Sequence, residues 1–321
     1  MKIVAIVGPT ASGKTDIAIA LAQLLDGEII SADSRLVYKD FDIGTAKPTK
    51  EERAQVPHHL IDIAHPEKTY SVGLYKKQAE QIIKDITNRG KLPIIAGGTG
   101  FYVKAVLEGL NLPGVDADAE FRSRMDELAK TRGREHLHDM LKELDPDAAE
   151  KIHPNNKYRV IRALELCHNM NKPASAAQTI TTPDYEVVYI GLNAEDREFL
   201  YDRINKRVDI MLEQGLVQEV ENLINKYGKT LSILETLGKT LGYKEICGYL
   251  DGEYSLEQAV ELIKQKTRNF AKRQLTWFRA NKNIHWFYID KMTKEQIISE
   301  AINFICHCEE GVSPTWQSRS R

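Results

Sequence analysis

Residues 8–15 read GPTASGKT and constrain the fold more than any other part of the chain. They match the pattern G-x-x-x-x-G-K-[ST], in which backbone N–H groups and a lysine surround a phosphate group. A β-rich apolar run, Lys2–Val7, precedes the motif, and helical periodicity follows over residues 16–25. This order of strand, loop and helix predicts a parallel α/β sheet whose first loop binds phosphate.

Two further apolar segments lead into polar residues. Residues 28–32 form a predicted strand that ends at Asp33, and residues 92–96 form another that opens into the turn Gly-Gly-Thr-Gly at 97–100. A short helix is predicted over residues 101–107. Because the carboxyl ends of parallel strands meet at one edge of a sheet, we expect these polar residues to lie near the phosphate loop.

The pattern of the chain changes in its middle third. Residues after about 113 are charged and helical in character, and strand-like runs return only at residues 185–192 and 284–289. The fold class predicted is therefore α/β, a P-loop-containing parallel sheet flanked by helices, with an all-helical insertion. The predicted parts are core residues 1–113, a helical insertion at 114–182, core residues 183–308 and a disordered polar tail at 309–321.

Composition narrows the class of protein. Hydrophobic residues make up 42% and charged residues 28% of the 321 residues, which is ordinary for a globular protein. The net charge of −2 means that any RNA-binding surface must be local. The four cysteines lack C-x-x-C spacing, and no apolar stretch approaches the roughly 18 residues of a membrane span. We expect a cytoplasmic protein with no membrane segment, no disulfide framework and no obligate protein partner.

Taken together, several segments resemble tRNA dimethylallyltransferases, the enzymes that prenylate N6 of an adenine in the tRNA anticodon loop. The matching segments are GPTASGKT at 8–15, SADSRLVY at 31–38, DIGTAKP at 42–48, PHHLID at 57–62, AGGTGFYVKA at 96–105, TLGYKE at 240–245 and AKRQLTWFR at 271–279. The resemblance implies a dimethylallyl diphosphate donor, a tRNA anticodon stem-loop as acceptor, and Mg²⁺. One departure is Leu36, since many members of the family carry Gln at that position.

This chemistry gives the phosphate loop a role in holding a leaving group. Breaking the allylic C–O bond develops negative charge on diphosphate, which backbone amides and cations stabilise. Arg203 and Arg207 lie one helical turn apart and suit diphosphate as a pair, and the resemblance favours Arg207. Thr15 is the predicted Mg²⁺ ligand. The predicted diphosphate-binding residues are Gly8, Thr10, Ala11, Ser12, Gly13, Lys14, Thr15, Arg203 and Arg207.

The acceptor nitrogen of adenine is a weak nucleophile and must lose a proton. Asp33, at a strand end near the loop, is the predicted general base. The hydroxyl of Thr99 is expected to hold the amine or a phosphate oxygen. Lys14 and Arg207 complete the predicted catalytic set by stabilising the departing diphosphate.

A basic segment over residues 264–282 is the predicted RNA-facing helix. It holds seven Lys or Arg and no Asp or Glu, with Lys264, Arg268 and Lys272 in an i, i+4 row among aromatic residues. Leu275 and Trp277 are expected to pack in the core. The tRNA contacts predicted from this segment, from the insertion and from the resemblance are Asp33, Ser34, Arg35, Leu36, Thr99, Arg122, Lys157, Arg159, Arg162, Thr240, Gly242, Tyr243, Lys244, Arg268, Lys272 and Arg273.

The phosphate loop also fits other functions. A small-molecule kinase would hold Mg²⁺ with an Asp at the end of an apolar strand. Residues 29–33 and 60–62 compete for that position, whereas the strand at 92–96 ends in Gly-Gly-Thr. A nucleotide-switch RNA-binding protein and prenyl transfer to a free adenine nucleotide are further alternatives. Whether Asp62 contributes to Mg²⁺ binding is open at this point.

Overall fold

The computed structural model describes residues 1–113, 115, 117–177 and 180–307, so the tail predicted at 309–321 lies outside the described residues. The described chain forms two units, one from Met1–Leu107 with residues 184–307 and the other from Glu108–Pro183. Within the described residues, no helix is both long and apolar enough to cross a membrane.

The first unit is built on one sheet in which every pairing is parallel. In the described part of the chain its strands are β1 (Lys2–Val7), β2 (Gly27–Ser31), β3 (His58–His59), β4 (Leu92–Gly97), β5 (Glu186–Asn193) and β6 (Ile284–Tyr288). They lie in the order β3-β2-β4-β1-β5-β6. This arrangement confirms the predicted α/β fold.

Helices cover both faces of this sheet, which explains why its strands are continuous apolar runs. Alternate residues of β1 point to opposite faces: Ile3 packs on one side and Val4 on the other. The helices of this unit are α1 (Lys14–Leu24), α2 (Lys50–Gln55), α3 (Val72–Asn88), α4 (Gly100–Leu107), α9 (Arg197–Glu213), α10 (Leu216–Tyr227), α11 (Leu231–Gly238), α12 (Tyr243–Leu250), α13 (Leu256–Arg279) and α14 (Lys294–His307).

The sheet topology determines where a ligand site belongs. From β1 the chain passes through α1 to β2, beyond β4, whereas from β4 it continues to β5, beyond β1. The connections that leave these two neighbouring strands therefore run in opposite directions along the sheet. In α/β sheets, ligands bind at the carboxyl ends of the strands at such a point. The phosphate loop follows β1 and the Gly-Gly-Thr-Gly turn follows β4.

A second apolar cluster in this unit lies away from the sheet. Val37, Tyr38 and Phe41, which follow β2, pack with buried side chains of helices α10 to α13. The segment Leu60-Ile61-Asp62, considered above as a strand end, is instead a turn: Leu60 and Asp62 have φ values of 62° and 58°. Only His58 and His59 pair with the sheet there.

The second unit has its own core, formed by side chains such as Phe121, Leu137, Leu141 and Leu164. An antiparallel bridge between Leu110 and Ile180, which the sequence did not indicate, joins the two ends of the unit. The RNA-facing role predicted for residues 114–182 stays a prediction. Its helices are α5 (Ala119–Arg132), α6 (Arg134–Leu144), α7 (Pro146–Lys151) and α8 (Lys157–Met170), followed by a short 3₁₀ turn at Ser175–Ala177.

Candidate active site

The phosphate loop passes very close to strand β5. A Cβ atom at Gly8 would lie 2.3 Å from the carbonyl oxygen of Leu192, and the φ of Gly8 is +147°, so glycine is required on both counts. Gly13, with φ 82°, ends the loop and precedes α1 directly. The loop therefore presents its backbone and the amino end of α1 at the sheet edge, an arrangement suited to an anion.

Lys14 folds back over this loop. Its Nζ donates a hydrogen bond to the carbonyl oxygen of Pro9 at 2.6 Å. Burial and the positive charge of Arg207 lower the pKa of Lys14 to about 7, partly opposed by the negative charge of Asp33. A lysine that is only partly protonated near neutrality gains charge when an anion arrives beside it.

Two arginines of α9 reach the same place. Arg203 Nε donates to the carbonyl oxygen of Ala11 at 2.8 Å and so supports the loop from outside. Burial and the charge of Arg203 lower the pKa of Arg207, while Asp33 opposes this. Asp33 thus lies close enough to Lys14 and Arg207 to act on the pKa of both, which brings three of the four predicted catalytic residues together.

Asp33 and Thr99 are joined through the backbone between them. The Ser34 N–H donates to Thr99 Oγ1 at 3.0 Å, and the Thr99 N–H donates to the Ala32 carbonyl oxygen at 3.0 Å. The Arg35 N–H donates to Asp33 Oδ1 at 2.8 Å. Among the described residues, Asp33 Oδ2 has no hydrogen-bond partner, so this oxygen is available to accept a proton.

Gln274 of α13 is a site residue that the sequence reasoning missed. Its Oε1 accepts the Thr10 N–H at 2.8 Å, and its Nε2 donates to the Gly98 carbonyl oxygen at 3.0 Å. The side chain is buried and links the phosphate loop to the turn after β4. Its position inside the segment AKRQLTWFR was the available signal.

Two stacked tyrosines also belong to this neighbourhood. The rings of Tyr75 and Tyr102 lie 4.0 Å apart between centroids, at 16°. Burial raises the pKa of both hydroxyls, and the nearby charge of Asp33 adds to this effect. The buried Tyr75 hydroxyl has no hydrogen-bond partner among the described residues. An apolar, aromatic wall therefore lies within electrostatic reach of Asp33.

Asp62 has a different role from the one considered for it. Its two carboxylate oxygens accept from Lys47 Nζ at 2.5 Å and Arg53 Nη1 at 2.7 Å. Both oxygens are thus engaged by cations. In the described residues no group of three or more His, Cys, Asp or Glu side chains is placed to hold a metal. Mg²⁺ commonly keeps few protein ligands and binds substrate phosphates, so Thr15 with a diphosphate fits this ion.

The basic row of α13 lies beside α9. Lys264 pairs with Asp209 at 2.7 Å, and Arg268 donates to Asn205 Oδ1 at 2.6 Å. Lys272 Nζ lies 5.7 Å from the centre of the Tyr201 ring. The side chains of Lys264 and Arg268 are therefore engaged by partners on α9, which the sequence did not indicate. Lys272 remains exposed.

The burial of the aromatic residues of α13 differs from the prediction, which placed Trp277 in the core. Phe278 packs in the core, whereas Trp277 is 39% exposed. A Cβ atom at Gly100 would lie 2.1 Å from the Trp277 ring, so this glycine lets the indole lie directly on the turn after β4. Leu275 is half-buried, and Arg273 is exposed with its guanidinium 5.7 Å from the Phe270 ring.

Two arginines predicted to contact tRNA from the insertion are held by a buried carboxylate. Glu165 accepts from Arg122 Nε and Nη2, both at 2.8 Å, and from Arg162. These guanidinium groups stabilise the second unit. Lys157 and Arg159 lie at the start of α8, where Arg159 is exposed. Their contact with tRNA stays a prediction.

The TLGYKE segment is largely internal. Thr240 and Tyr243 are buried, and their hydroxyls donate to the Thr236 carbonyl oxygen at 2.7 Å and to Glu219 Oε1 at 2.6 Å. In this structure both side chains serve to fix the turn that begins α12, and the contact of this segment with tRNA stays a prediction. Gly242 forms that turn with φ 87°, and Lys244 is exposed beside it.

Comparison with known proteins identifies the family of the chain. A family model described as IPP transferase matches residues 36–281, and one described as isopentenyl transferase matches residues 1–65. A tRNA dimethylallyltransferase of Thermoanaerobacter sp. (strain X514) is 50% identical over 295 residues, which cover 90% of this chain and 92% of that protein. The tRNA dimethylallyltransferase of Caldanaerobacter subterraneus subsp. tengcongensis is 48% identical over 310 residues, covering 94% and 96%.

Solved structures give the same result. The tRNA isopentenylpyrophosphate transferase of Bacillus halodurans has a TM-score of 0.68 at 43% identity, covering 96% of this chain and 98% of that one. A eukaryotic dimethylallyltransferase described as acting on tRNA has a TM-score of 0.80 at 29% identity, covering 100% and 82%. The resemblance found in the sequence motifs is confirmed, and the chain belongs to the IPP transferase family, the family of the tRNA dimethylallyltransferases.

Proposed function

We propose that this protein transfers the dimethylallyl group of dimethylallyl diphosphate to N6 of adenine 37 in the tRNA anticodon loop and releases diphosphate. The observation that carries the proposal is that Asp33 lies within electrostatic reach of both Lys14 and Arg207, at the carboxyl ends of the parallel strands. This reaction needs cations that stabilise the leaving diphosphate and, at the same place, a carboxylate that accepts the proton of the amine. The names of the relatives supply the chemical class of both substrates.

Leaving-group stabilisation falls to the phosphate loop. As N6 bonds to C1 of the allyl group, the C1–O bond breaks and its electron pair remains on diphosphate. Loop amides, Lys14 and Arg207 stabilise this charge, and Arg203 holds the loop carbonyl of Ala11 in place. Binding of the anion raises the pKa of Lys14, so the lysine is fully charged when charge develops.

Asp33 is the general base for the acceptor. Its Oδ2 accepts a proton from N6, while Oδ1 stays fixed by the Arg35 N–H. Thr99 is held by the Ser34 backbone, and its hydroxyl positions the amine or a phosphate oxygen. The target base must leave its stack to reach this place, as for other enzymes that modify a base.

Mg²⁺ is the metal that suits this site, with Thr15 as its protein ligand. It would supply positive charge to the diphosphate when bound. We further infer that the RNA surface includes Lys272 and Arg273 on α13 and Lys157 and Arg159 on α8, and that the protein works in the cytoplasm on tRNA.

The reaction is tested by comparing two labelled donors with unmodified tRNA. Label from dimethylallyl diphosphate should remain on the RNA after purification, and label from the γ-phosphate of ATP should not. Retention of the ATP label alone would replace prenyl transfer with phosphoryl transfer to RNA.

The role of Asp33 is tested with Asp33→Asn, which removes the base and keeps the shape of the side chain. Single-turnover transfer should fall by about 10²–10⁴-fold, whereas tRNA affinity, which depends on many contacts, should fall far less. Asp139→Asn, which changes an exposed residue of α6, is the matched control. Near-normal transfer by Asp33→Asn would show that another group takes the proton.

A further inference from the structure

Two exposed aromatic side chains meet at the turn after β4. Phe101 lies at the start of α4 and Trp277 in the last turn of α13, and each of them is 39% exposed. Their ring centroids lie 6.2 Å apart and their planes meet at 76°, an edge-to-face geometry that aromatic pairs favour. Single exposed aromatic residues are ordinary in proteins, so what distinguishes this pair is the place where it lies.

The pair borders the candidate active site. Phe101 follows Thr99 by two residues and is the one exposed residue of α4, whose other side chains are buried or half-buried. On the side of α13, Gln274 lies three residues before Trp277 and bonds to Gly98 in the same turn. Both rings are therefore next to the loop that presents Thr99 to the acceptor.

The indole of Trp277 is held in place by the backbone beneath it. A Cβ atom at Gly100 would lie 2.1 Å from its Cδ1 and 2.4 Å from its Nε1, so the five-membered ring rests on the turn. The six-membered ring is the part of the indole that lies farther from Gly100. A ring that is already fixed loses little conformational entropy when a ligand stacks on it, which favours binding.

Positive charge accompanies these rings along α13. Phe270, Arg273 and Trp277 recur at helical spacing and share one side of the helix. Arg273 is exposed, and its guanidinium lies 5.7 Å from the centre of the Phe270 ring. No Asp or Glu occurs at residues 264–282 to offset the charge of this segment. Rings beside cations suit a single-stranded nucleic acid, because its bases stack and its phosphates are anionic.

We propose that Phe101 and Trp277 form a stacking platform for one unpaired base of the RNA acceptor, the neighbour of the adenine that reacts. The proposal rests on the proposed function, because that reaction requires the adenine to leave its stack. Its departure uncovers one face of the neighbouring base, which the indole then covers. This contact offsets part of the cost of unstacking, and Arg273 binds a phosphate of the same strand.

Binding of unmodified tRNA measures the contribution of the platform. Trp277→Leu keeps an apolar side chain but removes the aromatic face, so it should weaken tRNA binding about fivefold or more. Phe101→Leu should act in the same direction, and Trp277→Phe, which keeps a ring, should lose less affinity than Trp277→Leu. Tyr288→Leu is the matched control, because Tyr288 is also 39% exposed but lies on β6, which β1 and β5 separate from β4.

The affinity for the donor separates stacking from a structural role of the indole. Gln274 holds the phosphate loop and the turn after β4 through its own bonds. The Kd for dimethylallyl diphosphate should therefore be unchanged in Trp277→Leu and Phe101→Leu. Equal losses of donor affinity and tRNA affinity would assign the effect to the active-site loops and overturn the proposal.

Fluorescence identifies the stacked base directly. The analogue 2-aminopurine, whose emission is quenched by stacking, replaces the base on one or the other side of adenine 37 in an anticodon stem-loop RNA. At saturating protein, emission at one of these positions should be low with the original protein and with Tyr288→Leu, and higher with Trp277→Leu. Saturation removes differences in affinity from this comparison.

The proposal is overturned if Trp277→Leu and Phe101→Leu bind tRNA as tightly as Tyr288→Leu, or if Trp277→Leu leaves the emission unchanged at both positions. An altered sedimenting mass of Trp277→Leu with unaltered tRNA binding would assign the pair to contact between copies of the chain. Dimethylallyl transfer is measured in parallel. Absence of transfer with the original protein would refute the proposed function, whereas tRNA binding and emission test the platform without a donor.

Discussion

Gln274 is a single side chain that holds two catalytic loops. It bonds to Thr10 and Gly98, which lie 264 and 176 residues away in sequence. One end accepts and the other donates, so only a neutral amide satisfies both backbone groups. The spacing between the phosphate loop and the turn after β4 therefore depends on a helix that also carries basic residues.

Gln274→Glu should impair donor binding. The carboxylate still accepts the Thr10 N–H, but it cannot donate to Gly98 and adds negative charge beside the diphosphate. We expect the KM for dimethylallyl diphosphate to rise by about 5–100-fold, from a loss of about 1–3 kcal/mol. Gln265→Glu, at an exposed position of the same helix, is the control, and equal KM values would contradict the role.

Lys14 should make donor binding depend on pH. Without a bound donor the pKa of Lys14 is about 7, so the side chain is charged below pH 7. Above pH 7 it must take up a proton when dimethylallyl diphosphate binds. The Kd for dimethylallyl diphosphate should therefore rise from pH 7 to 9, by up to about tenfold per unit. Lys14→Arg stays charged, so its Kd should change little over this range. A parallel rise in the variant would assign the effect to another group.

At the scale of elements, α13 has a different partner on each side. Ala259 and Ile263 pack among α10 to α12, the basic row lies along α9, and Gln274 reaches the active-site loops. Ser255 begins the helix with a capping box. Such a helix is fixed along its length, so its exposed cations are presented at set distances from the phosphate loop.

The Glu28 ion pairs join β2, β3 and α3. Glu28 accepts from Arg89 at the end of α3 and bonds to His59 Nε2 at 2.8 Å. Arg89 lowers the pKa of Glu28 to about 2, against the opposing effect of burial, and His59 adds to the lowering. A carboxyl with a depressed folded pKa stabilises the fold above its unfolded pKa and loses that contribution as pH falls through the folded value.

Glu28→Gln should therefore destabilise the protein at pH 7 by about 2–3 kcal/mol. The difference from the original protein should narrow as pH falls from about 4.5 towards 2. Urea denaturation at several pH values measures this, with exposed Glu213→Gln as the control. A pH-independent difference would assign the stability to packing.

At the scale of the whole molecule, the chain holds separate cores in its two units. The core of Glu108–Pro183 contains none of the residues of the sheet clusters. Glu165, which is fully buried, binds Arg122, Arg162 and the Asp118 N–H within that unit. We therefore expect the two units to open independently.

Glu165→Gln should destabilise the second unit alone. Removal of the buried negative charge eliminates the ion pairs of Glu165 with Arg122 and Arg162 and should cost about 3 kcal/mol. Hydrogen exchange should accelerate in α5 and α8 and stay unchanged in β1 and β4. Glu143→Gln, exposed on α6, is the control. Faster exchange throughout the chain would show a single cooperative unit.

The sheet was predictable from sequence because parallel strands buried on both faces are continuous apolar runs. β1 was expected over Lys2–Val7 and occupies that range. The phosphate loop and the placement of Asp33 followed from the strand ends. The bonds of Gln274 were not predictable, because they depend on how α13 lies against two distant loops. Likewise, a basic row at i, i+4 spacing does not reveal that Asn205 and Asp209 of α9 lie opposite it.

The DIGTAKP loop at residues 42–48 binds a carboxylate of the protein itself through its backbone amides. Glu219 Oε2 accepts the N–H groups of Asp42 and Ile43 at 3.0 and 2.8 Å, and Oε1 accepts that of Gly44 at 3.1 Å. Successive amides converging on one anion form a nest of the kind that phosphate loops use. In this nest the anion is tethered to α10 and cannot leave. The amides of the DIGTAKP loop are thus occupied by Glu219 and do not bind free phosphate, whereas the loop at Gly8–Thr15 can bind it.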